Sequence, residues 1–272
     1  MTGGPGGVTG GPKDEQPLVG GTANRGLVLR VGNTVRRPQR ARSAATQALL
    51  RHLEKVGFTG TPRFLGVDSG GREVLSYVEG ETVFPPLPAW GLTDEALDSV
   101  ARLLRAFHDA TVGFPAEDHE WTAAVPPEFR AGGVVSHNDV NLDNVVFRDG
   151  RAVALIDFDL ASPGSRLWDV AGAARMWAPL RPDDDIEDSR RGRSLPRLRR
   201  FVDVYGLGPP ERSRVVDAVV TAHDWIYQII RAGAAEGNRS FAEYWQRGGA
   251  QRAARARAWY EREGDLLRQA LR

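Results

Sequence analysis

Apolar positions change their spacing several times along the chain, and each change marks an element. Leu27 to Val31 alternates, a Gly32-Asn33 turn follows, and Thr34 to Arg37 alternates again, which predicts two antiparallel strands. From Ser43 to Val56 the apolar residues Ala45, Leu49, Leu50, Leu53 and Val56 recur at helical spacing. Phe64 to Val67, a turn at Ser69-Gly70-Gly71 and Val74 to Val78 complete a small sheet. Glu79-Gly80-Glu81 and the proline-rich Phe84 to Pro88 then read as a linker.

Beyond the linker helices dominate. Thr93 is expected to cap a helix whose Leu97, Val100, Ala101, Leu104 and Phe107 share one face, with Asp94 and Glu95 placed to suit the dipole. His108 near its end reads as a capping or packing residue. Asp169 is expected to open an apolar helix ending at Trp177. Glu211 to Arg231 carries Val215, Val219, Ala222, Ile226 and Ile229 on one face; a short segment from Phe241 to Arg247 precedes a last helix, Ala250 to Leu271, after a break at Gly248-Gly249. Residues 182–200 switch from acidic to basic without apolar periodicity and read as a solvated mobile loop, able to act as a lid. Residues 1–16 are rich in Gly and Pro and read as a disordered tail.

The chemistry is concentrated between Val134 and Val170. Val145 to Phe147 and Val153 to Ile156 flank an Asp149-Gly150 turn, which predicts a hairpin whose ends return to one place. Asp139 and Asn144 precede the first strand and Asp157 follows the second, so the three converge. Phosphoryl transfer needs such a trio. Asp139 would accept the proton of a hydroxyl nucleophile, while Asn144 and Asp157 would offer magnesium the hard oxygens it prefers, phosphates and water completing its shell. His137 would hold the loop through hydrogen bonds. Two other chemistries use the same residue types. Ser136, His137 and Asp139 name a hydrolytic triad, but neighbours in an extended stretch point to opposite faces. His137 and Asp139 with a distant His223 would suit iron, yet the chain downstream is helical rather than strand-rich.

Composition narrows the setting. The 272 residues carry a formal net charge of +1 and no basic stripe interleaved with aromatics, so nucleic acid is not an expected partner. No cysteine is present, which excludes disulfides and thiolate metal sites. No apolar run is long enough to span a bilayer, so the expectation is a soluble cytoplasmic protein without a membrane partner. Oligomeric state stays open.

The motif H-N-D-V-N-L-D-N followed by I-D-F-D resembles the aminoglycoside phosphotransferase family of small-molecule kinases, which usually read H-G-D-L-H-x-x-N and I-D-W/F-x. The resemblance spans about residues 17 to 180, and Asn141 departs from the usual histidine. It implies an α+β, protein-kinase-like two-lobe fold: an antiparallel-sheet N-lobe over residues 17–80 that binds nucleotide, and a mainly helical C-lobe over 81–272. ATP or GTP would be the co-substrate, with Mg2+. Gly20, Gly21, Thr22 and Asn24 would lay backbone N–H groups over the phosphates. Arg36 is chosen over Arg37 as the phosphate-binding cation; the helix glutamate that normally pairs with it is missing, Gln47 lying near its place and Glu54 almost two turns on. Ser76, Tyr77 and Val78 would meet the purine through main chain, and an aspartate such as Asp169 would brace the catalytic loop. Asp159, Asp224 and Gln228 are candidate contacts to a small-molecule acceptor, each with a surface or capping role as the alternative.

On this basis the expected activity is transfer of a γ-phosphoryl group to a hydroxyl of a small molecule, an antibiotic being the favoured acceptor. Arg247, Arg252, Arg255, Arg257, Arg262 and Arg268 make the C-terminal helices basic, which argues against a strongly polycationic acceptor. The rivals are a non-catalytic immunity protein that sequesters a toxin or antibiotic, and a housekeeping small-molecule kinase.

Overall fold

In the computed structural model residues 15–18 and 27–272 are described. The first layer is a five-stranded antiparallel sheet in the order β1-β2-β3-β5-β4, built from β1 (Glu15–Pro17), β2 (Leu29–Val31), β3 (Thr34–Pro38), β4 (Phe64–Val67) and β5 (Arg72–Ser76). Helix α1 (Ser43–Lys55) covers it with Leu49, Leu50 and Leu53, all buried. Pairing of Glu15 with Val31 draws residues 15 and 16 into the sheet, which corrects the expected boundary of the tail; residues 1–14 lie outside the described residues, as do Gly20, Gly21, Thr22 and Asn24.

The chain crosses to the helical part at Gly80 and Glu81. Glu81 exchanges both backbone hydrogen bonds with Phe147, at 2.9 and 2.7 Å. Gly80 sits at φ +144°, and a Cβ there would lie 2.4 Å from the Phe147 carbonyl oxygen, so the close approach requires glycine.

Helix α2 (Asp94–Thr111) forms as predicted. The Thr93 hydroxyl accepts from the Ala96 amide at 3.1 Å, and Leu97, Val100, Ala101, Leu104 and Phe107 are all 0 % exposed. Strands β6 (Val134–Ser136) and β9 (Ser162–Gly164) pair, and β7 (Val145–Arg148) and β8 (Arg151–Leu155) form the predicted hairpin. Asp149 and Gly150 both take positive φ, 52° and 71°, the turn whose twist suits two antiparallel strands. Helix α3 (Arg166–Trp177) starts earlier than Asp169, because Ser165 supplies the N-cap to the Trp168 amide. Helices α4 (Ser194–Tyr205), α5 (Pro209–Arg212), α6 (Val215–Ala235), α7 (Arg239–Tyr244) and α8 (Ala250–Ala270) complete the layer. The expected break before α8 is present, with Gly248 at φ +89°.

Residues 182–200 are the clearest correction. They are not one mobile loop: α4 begins at Ser194, and Arg190 and Arg197 are 2 % and 1 % exposed. The apolar face of α4 is Leu198, Phe201, Val202 and Tyr205, and most of it falls past residue 200. Arg197 places Nε and Nη1 on the Trp177 and Leu92 carbonyls and on Asp94, at 3.1, 3.0 and 2.9 Å, while its Nη2 is buried without a partner. Burial of a charge is tolerated where an opposite charge and hydrogen-bond acceptors offset it.

Candidate active site

The hairpin carries the site. Its ends meet where the Ile156 amide donates to the Asn144 carbonyl at 3.0 Å. Asn144 directs both Nδ2 hydrogens at Asp139, 2.8 Å to Oδ2 and 2.9 Å to the backbone oxygen. Asn141 also donates to the Asp139 carboxylate. Asp157 follows β8 with φ +62°, a left-handed conformation, and lines the same cavity as Asp139 and Asn144. The three residues named from the motif are therefore together on one wall.

Buried hydrogen bonds fix the loop. The Asp169 carboxylate accepts from the backbone amides of His137 and Asn138, at 2.7 and 2.8 Å, and lies 3.0 Å from His108 Nε2. His108 reaches Tyr205 through its other nitrogen. His137 Nε2 is 3.0 Å from the Ile156 carbonyl, and the Asp139 amide lies 3.3 Å from Nδ1. Burial lowers the His137 pKa, so the ring is neutral, donating from Nε2 and accepting at Nδ1. Both nitrogens are thereby used, which removes the iron alternative, and Ser136 Oγ turns to the Ser165 carbonyl, which removes the triad. Asn138 was not singled out from sequence. At φ +65° it bonds Leu160, Ser162 and the Trp168 indole.

Across the cleft the arginine that faces the site carboxylates is Arg37, and Arg36, chosen from the sequence, faces away. Strand alternation sends Arg37 inward, 2.9 Å from Asp159 and 3.5 Å from Asp157, whereas Arg36 lies 3.7 Å from Asp68 on the opposite face. The missing helix glutamate is replaced from the sheet. Glu73 on β5 stands in register opposite Arg37, is 1 % exposed, bonds its Nε at 2.7 Å and receives Gln47 of α1 at 2.8 Å. Register was the signal that could have revealed it, since an acid and a base occupy facing positions of adjacent strands. Glu54 pairs loosely with Arg63 at the surface.

Electrostatics follow from this crowding. Burial, then the charges of Asp157 and Asp143, push the Asp139 carboxyl up to about 8. Burial and Asp159 push Asp157 up to about 6, against the opposing pull of Arg37 and Arg40. Carboxylates short of positive charge, beside an Asn144 amide whose nitrogen is spent and whose Oδ1 remains to accept, are the donor set of a hard cation. Among the described residues no group of three or more His, Asp or Glu side chains is placed to hold an ion alone.

The remaining named residues divide. Asp159 lines the cavity but is held by Arg37 and Arg40, at 2.9 and 2.8 Å. The Ser76 and Tyr77 amides are spent on the Arg63 and Asn33 carbonyls, which leaves the Val78 amide and nearby carbonyls for any purine edge. Asp224 and Gln228 do not line the cavity; α6 turns Ile226, Tyr227 and Ile230 toward it instead. Asp224 meets His223 and Arg257. Helical spacing placed them on a common face but could not say which face.

The model of the phosphotransferase enzyme family matches residues 116–205, the span of the catalytic loop and hairpin. The trifolitoxin immunity protein of Rhizobium leguminosarum bv. trifolii is 36% identical over 228 residues, 80% of this chain and 85% of that protein. The chain belongs to the APH phosphotransferase family. Solved structures share this family's fold. A choline/ethanolamine kinase family protein from Mesorhizobium loti superposes with a TM-score of 0.63 at 19% identity, covering 98% of this chain and 94% of its own. A point mutant of aminoglycoside 2'-phosphotransferase-IIIa in complex with GDP superposes with a TM-score of 0.58 at 15% identity, covering 91% and 92%. The protein-kinase-like fold expected from the motif is therefore the fold of this chain. No helix among its described residues is long and apolar enough to cross a membrane.

Proposed function

We propose that this phosphotransferase moves the γ-phosphoryl group of ATP or GTP to a hydroxyl of a small molecule, and thereby inactivates a toxin or antibiotic. The observation that carries the reading is Asp139, hydrogen-bonded to Asn144 at 2.8 Å on the cavity wall shared with Asp157. The acceptor hydroxyl attacks the γ-phosphorus, and its proton passes to Asp139. The bond to the bridging oxygen breaks, and the nucleoside diphosphate leaves with that electron pair. Burial raises the Asp139 pKa, which makes the ionised carboxylate a stronger base toward this proton. Asn144 and Asp157 would hold Mg2+, which when bound neutralises charge on the phosphates. Arg37, kept in place by Glu73, is the cation we assign to the phosphate side, in place of Arg36. Val78 is the residue we assign to the purine.

The acceptor side is a cavity of about 1320 Å³ between the catalytic loop and α6, α7 and α8. Arg247, Arg252 and Arg255 line it together with Asp184, Asp185, Glu187 and Glu236, a mixed rather than uniformly acidic lining, which supports an acceptor that is not strongly polycationic. The name of the 36% identical relative supports a role in immunity. That name equally suits sequestration without turnover. The experiment is a nucleotide-consumption screen of the full chain against a library of peptides, nucleosides, sugars and polycations, run beside Asp139→Ala. Acceptor-dependent turnover lost in the variant supports the kinase; turnover confined to polycations refutes the acceptor class; a variant that protects a sensitive host as well as the parent supports sequestration.

A further inference from the structure

The helical wall of the cavity contains cations that the chain itself does not neutralise. Arg175 stands in the last turn of α3 and Arg181 shortly after it; both line the cavity, and the Nε of each is buried without a hydrogen-bond partner. Among the described residues neither guanidinium has a carboxylate within ion-pair distance. The nearby acids are engaged elsewhere. Asp185 takes Arg255 at 2.7 and 3.2 Å, and Asp188 takes Arg190 at 2.8 Å through both oxygens. Glu187 and Glu236 line the cavity at its exposed rim. The charge of Arg175 is felt by Arg181, by Asp139 and by Tyr227 and Tyr260, which places it between the proton acceptor and the wall of α6 and α8.

A third group points the same way. His223 is 3 % exposed and lines the cavity, with Nδ1 2.9 Å from Asp224 Oδ1. A neutral ring donates its Nδ1 hydrogen to that carboxylate, which leaves Nε2 as a bare acceptor. Nε2 is buried and has no partner. Two cations short of an anion therefore line a single cavity, on whose wall the His223 ring leaves Nε2 without a partner. Buried groups of this kind cost stability unless a ligand completes them.

We propose that the acceptor is an anion: a hydroxyl compound bearing a carboxylate that Arg175 and Arg181 hold. Planar guanidinium forks bind carboxylates in paired hydrogen bonds, which fixes the orientation of the acceptor as well as its charge. The assignment rests on the phosphotransferase reading and names its substrate class. Two sources offer the same chemistry, a free hydroxy acid and the C-terminus of a hydroxyl-bearing peptide.

Calorimetric binding to the full chain tests this without requiring turnover. The probes are matched pairs, 3-phenyllactate against its amide and the peptide N-acetyl-Tyr-Ser against its C-terminal amide. The expected result is binding of one acid at least about tenfold tighter than its amide, the preferred pair identifying the source. Arg175→Gln and Arg181→Gln should each shrink that ratio toward one, while Arg181→Lys keeps part of it; circular dichroism of each variant checks its fold. Equal binding of acid and amide overturns the proposal, as does absence of binding by both pairs at millimolar concentration. So does a loss in the variants that is equal for acid and amide. Preferential binding of the acids without phosphate transfer leaves the anion site standing and removes the kinase reading.

Discussion

The two walls of the cavity differ in how their charges are partnered. On the wall made by the sheet and the catalytic loop almost every polar group is answered by the chain. Arg37 meets Glu73, Asp157 and Asp159, and Asp169 gathers two amides and a histidine. On the helical wall Arg175, Arg181 and His223 present buried atoms that the chain leaves unanswered. A group that must hold one geometry through every turnover is surrounded by its own partners, whereas a group that recognises a visiting molecule needs that molecule to complete it. On the proposed reading the first wall serves a fixed reaction, and the second a particular acceptor.

The sharpest way to break this contrast is to remove the proton acceptor. Asp139→Ala should slow phosphate transfer by about 10²- to 10⁴-fold, the usual contribution of a positioned base, while nucleotide still binds in a direct titration. Unchanged transfer would sink the assignment of Asp139. Next in size is the ion pair behind it. Glu73→Ala removes one of the three carboxylates around the buried Arg37 and leaves its Nε without an acceptor, and should cost about 2 kcal/mol in urea denaturation. Glu54→Ala, at an exposed pair, should cost less than about 0.5 kcal/mol. Equal costs would mean that the sheet does not stand in for the helix glutamate.

Asp169 gives a pH-dependent case. Burial opposes its ionisation, but the hydrogen bond from His108, the nearby His108 and His137 rings and the His137 amide hold its carboxyl below the ordinary carboxylate range. A depressed carboxyl stabilises the folded chain above its unfolded pKa, and that stabilisation is lost as pH falls through the folded value. Asp169→Asn should therefore cost about 2 kcal/mol at pH 7, from weakened amide and histidine bonds. The gap from the parent should narrow below about pH 4, where the parent carboxyl begins to protonate. A gap independent of pH would show that shape rather than charge braces the loop.

Much of the reacting wall was legible in the sequence because its residues are local. Asp139, Asn144 and Asp157 are joined by one short hairpin, and an Asp-Gly turn is enough to bring its ends together. Arg37 and Glu73 were harder, since choosing the inward arginine and its partner needs the register between strands 36 residues apart. The helical wall was harder again. Asp224 and Gln228 were picked for a shared face, but which face of α6 meets the cavity depends on how it packs against α3 and α8, and that is not written in its own spacing. Arg197 misled for a related reason: a basic stretch reads as solvated until the carbonyls that accept its hydrogens are known.

The smallest predicted effect tests the contrast from its other side. If Arg181 belongs to an incomplete recognition site, no hydrogen bond or close ion pair is lost when it is neutralised. Burial already pushes its pKa down, Arg190 and Arg175 add to that shift, and Asp188 and Asp185 oppose it only in part. Arg181→Gln removes a repulsion along with a charge, so its stability should stay within about 0.5 kcal/mol of the parent or rise slightly, in the same urea experiment that registers Glu73→Ala. A loss approaching that of Glu73→Ala would mean that Arg181 has a structural duty like Arg197. Both walls would then be saturated by the chain, and the difference between them would lie in shape alone.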